Sequence, residues 1–199
     1  VSQDPRRSNT TPGKVDLTVE EFHQTAVRNQ SNSEKGSSVT VPSKKDLEKS
    51  TLIVVKNDFG GTATAAVTES GELITVTRNP KATLEDVDTA IFAAIGTGRV
   101  KWSYEFDTER PYFLVPYGFK PVVKTPFNED LKPANWDKTK YRQFKSGKPD
   151  LVYLVFDGEF NRSYANFKKI PQALTHEDAL AAVDRSDITS EPFKTVDEL

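Results

Sequence analysis

The sequence predicts an α+β fold: a mainly antiparallel sheet, three to four helices and an extended polar N-terminal arm. Three observations carry that expectation. Val100, Trp102, Tyr104 and Phe106 alternate with Lys101, Ser103 and Glu105, the period of a half-buried strand. The runs TATAAVT and LITVTR flank Glu69-Ser70-Gly71-Glu72, the composition of a β-hairpin with a Gly-containing turn. Thr83 opens a stretch in which Leu84, Val87, Ile91, Ala94 and Ile95 share one helical face. Hairpin-type connections outnumber βαβ units, which argues against a doubly wound sheet.

Taken in order, residues 1–14 (VSQDPRRSNTTPGK) are polar and punctuated by Pro5, Pro12 and Gly13, and read as an arm. Thr18 with Glu21 three residues on forms a capping box. Val19, Phe22 and Ala26 give the following helix one apolar side, and it should end near Asn29. NQSNSEKGSS is a linker by composition, and Ser43 caps a short helix, KKDLEK. The apolar run LIVVK after Thr51 is a buried strand, and Phe59-Gly60-Gly61 breaks it. Thr83 pairs with Asp86 at the third helical position, and Gly96 or Gly98 stops that helix.

Strand 100–106 turns at DTERP and returns as YFLV. Pro121, Pro126 and Pro133 make the next stretch extended or looped, and Asp137 to Lys145 could form one short helix. Leu151 to Phe156 is a continuous apolar strand, and Asp157-Gly158 turns it. Thr175 with Asp178 caps a last helix, HEDALAAVDRS. The elements sum to about five to seven strands, a usual size for one domain. The expected division is an arm, short helix and linker over 1–50, a core over 51–188, and an acidic tail over 189–199.

Apolar residues make up 36% of the 199, and the deficit is concentrated in 1–14 and 28–50, which places the core C-terminal to them. The absence of Cys excludes disulfides, thiolate metal sites and thiol nucleophiles. No run approaches the ~18 apolar residues of a membrane span. The chain starts at Val1 and contains no Met. The expectation is therefore a terminus made by processing, or set by the choice of expressed segment. Asn9, Asn29 and Asn161 stand in Asn-x-Ser/Thr sequons, a number close to chance for this composition.

Candidate chemistry is sparse. The two histidines, His23 and His176, could form an acid–base pair of the ribonuclease kind. His23-Gln24-Thr25 fits half of the two-histidine H-x-T phosphoesterase pattern, but His176-Glu177-Asp178 does not supply the other half. Asp157 and Glu159 could present the paired carboxylates of glycoside cleavage, although Asp-Gly is first a turn signal. Phe59-Gly60-Gly61-Thr62 lacks the Lys and the spacing of a phosphate-binding loop. The expected metal and cofactor complement is none.

The feature with most content is a charge block. Lys120 to Pro149 holds eight bases against Glu129, Asp130 and Asp137, a net +5 in a chain of −2. Phe127, Trp136, Tyr141 and Phe144 are interleaved with those bases. Lys132, Lys138, Lys140, Arg142, Lys145 and Lys148 are the candidate contacts for an acidic partner surface or nucleic acid. On a helix over 137–145, Lys138, Arg142 and Lys145 would share one face, with Tyr141 and Phe144 turned to the core. Two readings stand for this block: a solvated face over packed aromatics, or an anion-binding surface. Trp136 is expected in the core. Residues 150–199 carry ten acids against five bases, so opposite charge lies elsewhere in the same chain. Complementary surfaces on one subunit favour head-to-tail packing into rings or filaments.

These features predict a non-enzymatic structural subunit of a self-assembling particle or filament, most concretely a virion coat protein. Its partners would be further copies or other subunits, with nucleic acid a further candidate. The alternative is a monomeric adaptor docking one acidic partner, and a His-dependent phosphodiesterase is a third reading.

Overall fold

The structure is a computed structural model that describes residues 18–33, 36–108, 113–160, 162–163, 167 and 169–188. The arm over 1–14 and the tail over 189–199 lie outside the described residues. Contacts group the described residues into two compact units divided between Val100 and Lys101, with Lys132–Trp136 belonging to the first. The segment 51–188 runs through both.

In the first unit, helix α1 (Val19–Ser31) starts where the sequence places a capping box: Glu21 N–H donates to Thr18 Oγ1, and Thr18 N–H to the Glu21 carboxylate. Strands β1 (Thr51–Lys56), β2 (Thr62–Val67) and β3 (Leu73–Arg78) form an antiparallel sheet in the order β1-β2-β3. Period-2 alternation splits β2 between two helical layers. On one face Phe22 and Ala26 of α1 pack with Leu52, Val54, Ala66 and Leu47, the last from helix α2 (Lys44–Leu47). The other face receives helix α3 (Leu84–Gly96) through Val87, Ala90, Ile91 and Ala94. The small side chains of TATAAV let helices approach on both sides. Full burial of Phe22 stabilises this packing by about 1.5–3 kcal/mol.

A polar seam crosses the α1 layer. Asn29, buried, donates from Nδ2 to Thr77 Oγ1 at 3.1 Å and to the Thr62 carbonyl at 3.2 Å, and accepts from Thr62 Oγ1 at 2.8 Å. Thr64 Oγ1 continues it, 2.6 Å from Thr77 Oγ1. The seam lies beside a β-bulge in β3, where Thr75 takes φ 56°.

The second unit holds strands β4 (Trp102–Phe106), β5 (Phe119–Thr125) and β6 (Leu151–Phe156), antiparallel, in the order β4-β6-β5. Central β6 is the continuous apolar run, as a strand buried on both faces must be. Helix α4 (His176–Ile188) packs on β5 and β6 through Ala179, Ala182 and Val183. Residues 171–173 run along the edge of β5, with Lys124 N–H donating to Pro171 O and Ala173 N–H to Lys124 O.

The class is α+β, with two antiparallel sheets and the four helices named above. The capped helices, the hairpin and strands β1, β4 and β6 fall where the sequence puts them. Two elements differ. Phe113 and Leu114 of the expected return strand lie in a turn that leads into a 3-10 turn over Val115–Tyr117, and the next strand, β5, lies across β6 from β4, so the antiparallel neighbour of β4 is β6. Pro121 is tolerated there because β5 is an edge strand and its register shifts between Pro121 and Val123. The short helix over Asp137–Lys145 is absent, for a reason that belongs to the candidate site.

Candidate functional site

Asp137 begins the basic stretch with a side chain that competes with helix formation. Its Oδ1 accepts from Thr139 N–H at 2.9 Å and from Thr139 Oγ1 at 2.5 Å, closing a turn two residues on. These bonds hold the Asp137 carboxyl below the usual carboxylate range. Three further backbone bonds, Lys140 N–H to Asp137 O, Arg142 N–H to Thr139 O and Phe144 N–H to Tyr141 O, each span three residues. The segment is a series of tight turns, so Lys138, Arg142 and Lys145 do not line one helical face.

The turns end in a left-handed stretch. Lys145, Ser146 and Gly147 have φ of 43°, 57° and 85°, the first two against the preference of L-residues by roughly 1–2 kcal/mol each. Two contacts hold that conformation. Lys145 Nζ meets Asp150 Oδ2 at 2.5 Å, and the Asp150 side chain is only 9% exposed. Gly147 lies against Lys138 so closely that a Cβ would sit 2.7 Å from the Lys138 carbonyl oxygen. A second ion pair, Lys148 to Glu129 at 2.8 Å, ties the end of the loop to its beginning. Tyr141 is buried beneath it and Phe144 is half-buried.

The six candidate bases therefore divide. Lys138, Lys140 and Arg142 are exposed, and among the described residues none of them is in an ion pair. Lys145 and Lys148 are exposed but brace the loop. Lys132 lies in the stretch that groups with the first unit, where Asn135 Oδ1 accepts from Gln30 of α1 at 3.1 Å. Of the other bases in the block, Lys124 pairs with Asp107 at 2.6 Å and is largely covered. Trp136, expected in the core, is half-buried. The residues that sequence reasoning missed are the braces, Asp150 and Glu129, and the left-handed turn, for which Ser146-Gly147 followed by Pro149 was the available signal.

The remaining candidates are occupied by structure. His176 Nδ1 lies 2.5 Å from the hydroxyl of fully buried Tyr153, and burial lowers the His176 pKa. His23 belongs to the first unit and His176 to the second. Thr25 of the H-x-T half-motif donates its hydroxyl to Glu21 O at 2.8 Å within α1. Asp157 and Glu159 both receive the Arg162 guanidinium, with Nη1 and Nη2 at 2.9 and 2.5 Å from the two Asp157 oxygens. In the Phe59-Gly60-Gly61 loop, the N–H groups of Phe59 and Gly61 donate to Asn57 Oδ1 at 2.9 and 2.8 Å. Asn57 Nδ2 in turn reaches Asp86 in the capping box of α3 at 2.8 Å. Among the described residues, no group of three or more His, Asp or Glu could hold a metal ion. No helix of the described residues is long and apolar enough to cross a membrane.

No family model matches the sequence, and neither a curated protein nor a solved structure matches it.

Proposed function

We propose that this chain is a non-enzymatic structural subunit of an assembly, a particle coat or filament, and that the loop over 137–148 holds an acidic protein surface of a neighbour. The carrying observation is the outward group Lys138, Lys140 and Arg142 on a loop fixed in a strained conformation. Left-handed non-glycine residues persist only where surrounding contacts enforce them, and they concentrate at functional sites. Here the enforcing contacts rigidify the stretch that carries the unpaired bases, so less side-chain and loop freedom is lost on binding. A protein partner is favoured over nucleic acid. Tyr141 is buried and Phe144 half-buried, which leaves the loop poor in the exposed rings on which bases stack. The chain's net charge of −2 also gives no global attraction to a phosphate backbone.

Sedimentation velocity over a concentration and salt series tests the reading. The expected result is association that grows with concentration and weakens with salt. The variant Lys138→Glu/Lys140→Glu/Arg142→Glu should lose it while keeping its melting temperature, since exposed substitutions change stability by about 0.5 kcal/mol or less each. A strict monomer at high concentration and low salt overturns the proposal. One-to-one capture of a different acidic protein by such a monomer would support an adaptor instead.

A further inference from the structure

Helix α4 buries one side on the sheet of the second unit and leaves the other to solvent. Ala179, Ala182 and Val183 face β5 and β6. Glu177, Ala181 and Asp184 follow one another at steps of four and three residues, which places them together on the opposite side, and all three are exposed. Among the described residues, neither Glu177 nor Asp184 is in an ion pair or a side-chain hydrogen bond. Their positions lie roughly 10 Å apart at 1.5 Å per residue, so the stripe offers two separate anionic points with a small side chain between them. Its flanks are taken. Asp178 accepts from the Thr175 hydroxyl at 2.8 Å in the helix cap, and Arg185 is engaged within the structure. Leu174, one residue before the cap, extends the stripe. A Leu at that place ordinarily packs on the fourth helical residue. Here the fourth residue is Ala179, buried against the sheet, and Leu174 is left 87% exposed.

We infer that this outer side of α4, with Leu174, is the seat for the 137–148 loop of a second copy of the chain. The inference rests on the reading of the protein as an assembling subunit and names the acidic surface that the loop holds. Charge complementarity selects the occupant. Lys138, Lys140 and Arg142 supply three exposed cations within five residues of chain, against two exposed carboxylates on one helix side. Acidic side chains elsewhere are widely answered within the chain: Glu20 by Lys44, Glu69 by Lys49, Glu129 by Lys148 and Glu159 by Arg162. Glu85 and Asp88 of α3 are likewise engaged. Ala181 ends at its Cβ, so a long Lys or Arg side chain can lie close to the helix between the two carboxylates. The planar fork of Arg142 suits both oxygens of one carboxylate. The half-buried Phe144 offers the loop's own apolar surface to Leu174. Each copy carries both patches, so one kind of contact repeats from copy to copy.

Charge exchange between two variants tests this pairing. One variant carries the loop reversal Lys138→Glu/Lys140→Glu/Arg142→Glu, and the other carries Glu177→Lys/Asp184→Lys on α4. Each alone faces like charge with like, and self-association should weaken by about tenfold or more, the effect of 1.4 kcal/mol. Mixed one to one, each loop meets an α4 of opposite sign, and association should return in sedimentation and in cross-linking of unlike chains. A control variant, Glu48→Lys/Asp130→Lys, makes the same change of net charge at two exposed acids away from the stripe, and should associate as the unaltered chain does. Circular dichroism melts confirm that each variant is folded. If the loop reversal dissociates the protein and the α4 variant does not, the α4 seat is overturned and the assembly reading stands. If the α4 variant and the control weaken association alike, the effect is one of bulk charge and the seat is overturned. If both reversals dissociate the protein and the mixture stays apart, the two surfaces meet other partners and the pairing is likewise overturned. If neither reversal changes association, the assembly reading of the loop fails with it.

Discussion

Glu72 carries its carboxyl into the end of the β2–β3 hairpin, where burial pushes its pKa from 4.5 up to about 7. The folded chain therefore holds that proton more tightly than the unfolded chain. Stability from this group is fully present below about 4.5 and is lost as pH rises towards about 7. Glu72→Gln should leave stability nearly unchanged at pH 4 and raise it at pH 8, by on the order of 1–3 kcal/mol. Urea melts of both proteins at the two pH values check this, and a gap that does not widen with pH would refute it. The left-handed turn makes a prediction of opposite sign at adjacent positions. Ser146→Gly relieves an unfavourable φ and should stabilise by up to about 1 kcal/mol. Gly147→Ala meets both a positive φ and the Lys138 backbone, and should destabilise by about 1–3 kcal/mol. Thermal melts of the pair separate the two effects.

At the scale of elements, α1 is fixed to its sheet by polar as well as apolar contacts. Asn29→Ala strips Thr62 and Thr77 of a buried partner and should cost about 1–3 kcal/mol. Adding Thr77→Val removes one of the stranded groups, so the double variant should cost less than the sum of the singles. A denaturant double-mutant cycle measures that coupling, and strict additivity would contradict the seam's role. Helices α1, α3 and α4 were legible because each start is written locally, as Thr18 with Glu21, Thr83 with Asp86 and Thr175 with Asp178. Strand β5 was not, because its Pro121 reads as a breaker until the strand is known to lie at a sheet edge. The helix expected over 137–145 is replaced by tight turns whose backbone bonds span three residues, Lys140 N–H to Asp137 O, Arg142 N–H to Thr139 O and Phe144 N–H to Tyr141 O, a choice that spacing alone does not disclose.

For the whole molecule, the charge block was visible as a sum, but its shape was not. The loop is fixed by Asp150 and by the packing of Gly147 on Lys138, contacts that no local pattern encodes. The sum treats eight bases as alike, whereas Lys124, Lys145 and Lys148 are committed to carboxylates. Association through Lys138, Lys140 and Arg142 should be strongly ionic. Raising salt from 0.01 to 1 M shortens the screening length from about 30 to about 3 Å. The dissociation constant for self-association should rise steadily over that range, while the melting temperature of the subunit changes little. A salt-independent constant would point to an apolar interface elsewhere.

The buried amide of Asn29 has a consequence for how the chain can be made. It stands in a sequon, yet its nitrogen is spent on Thr62 and Thr77 and has no access to solvent. A folded molecule cannot accept a sugar there, and a molecule that accepted one while unfolded could not dock α1 against the sheet. In a secretory host, oligosaccharide transfer and folding would thus compete for the same nitrogen. Material that leaves the host folded should be bare at Asn29 by peptide mass spectrometry, with any glycosylated fraction retained and degraded. Replacing Ser31 by Ala removes the acceptor signal and leaves the seam intact, so secreted yield should rise.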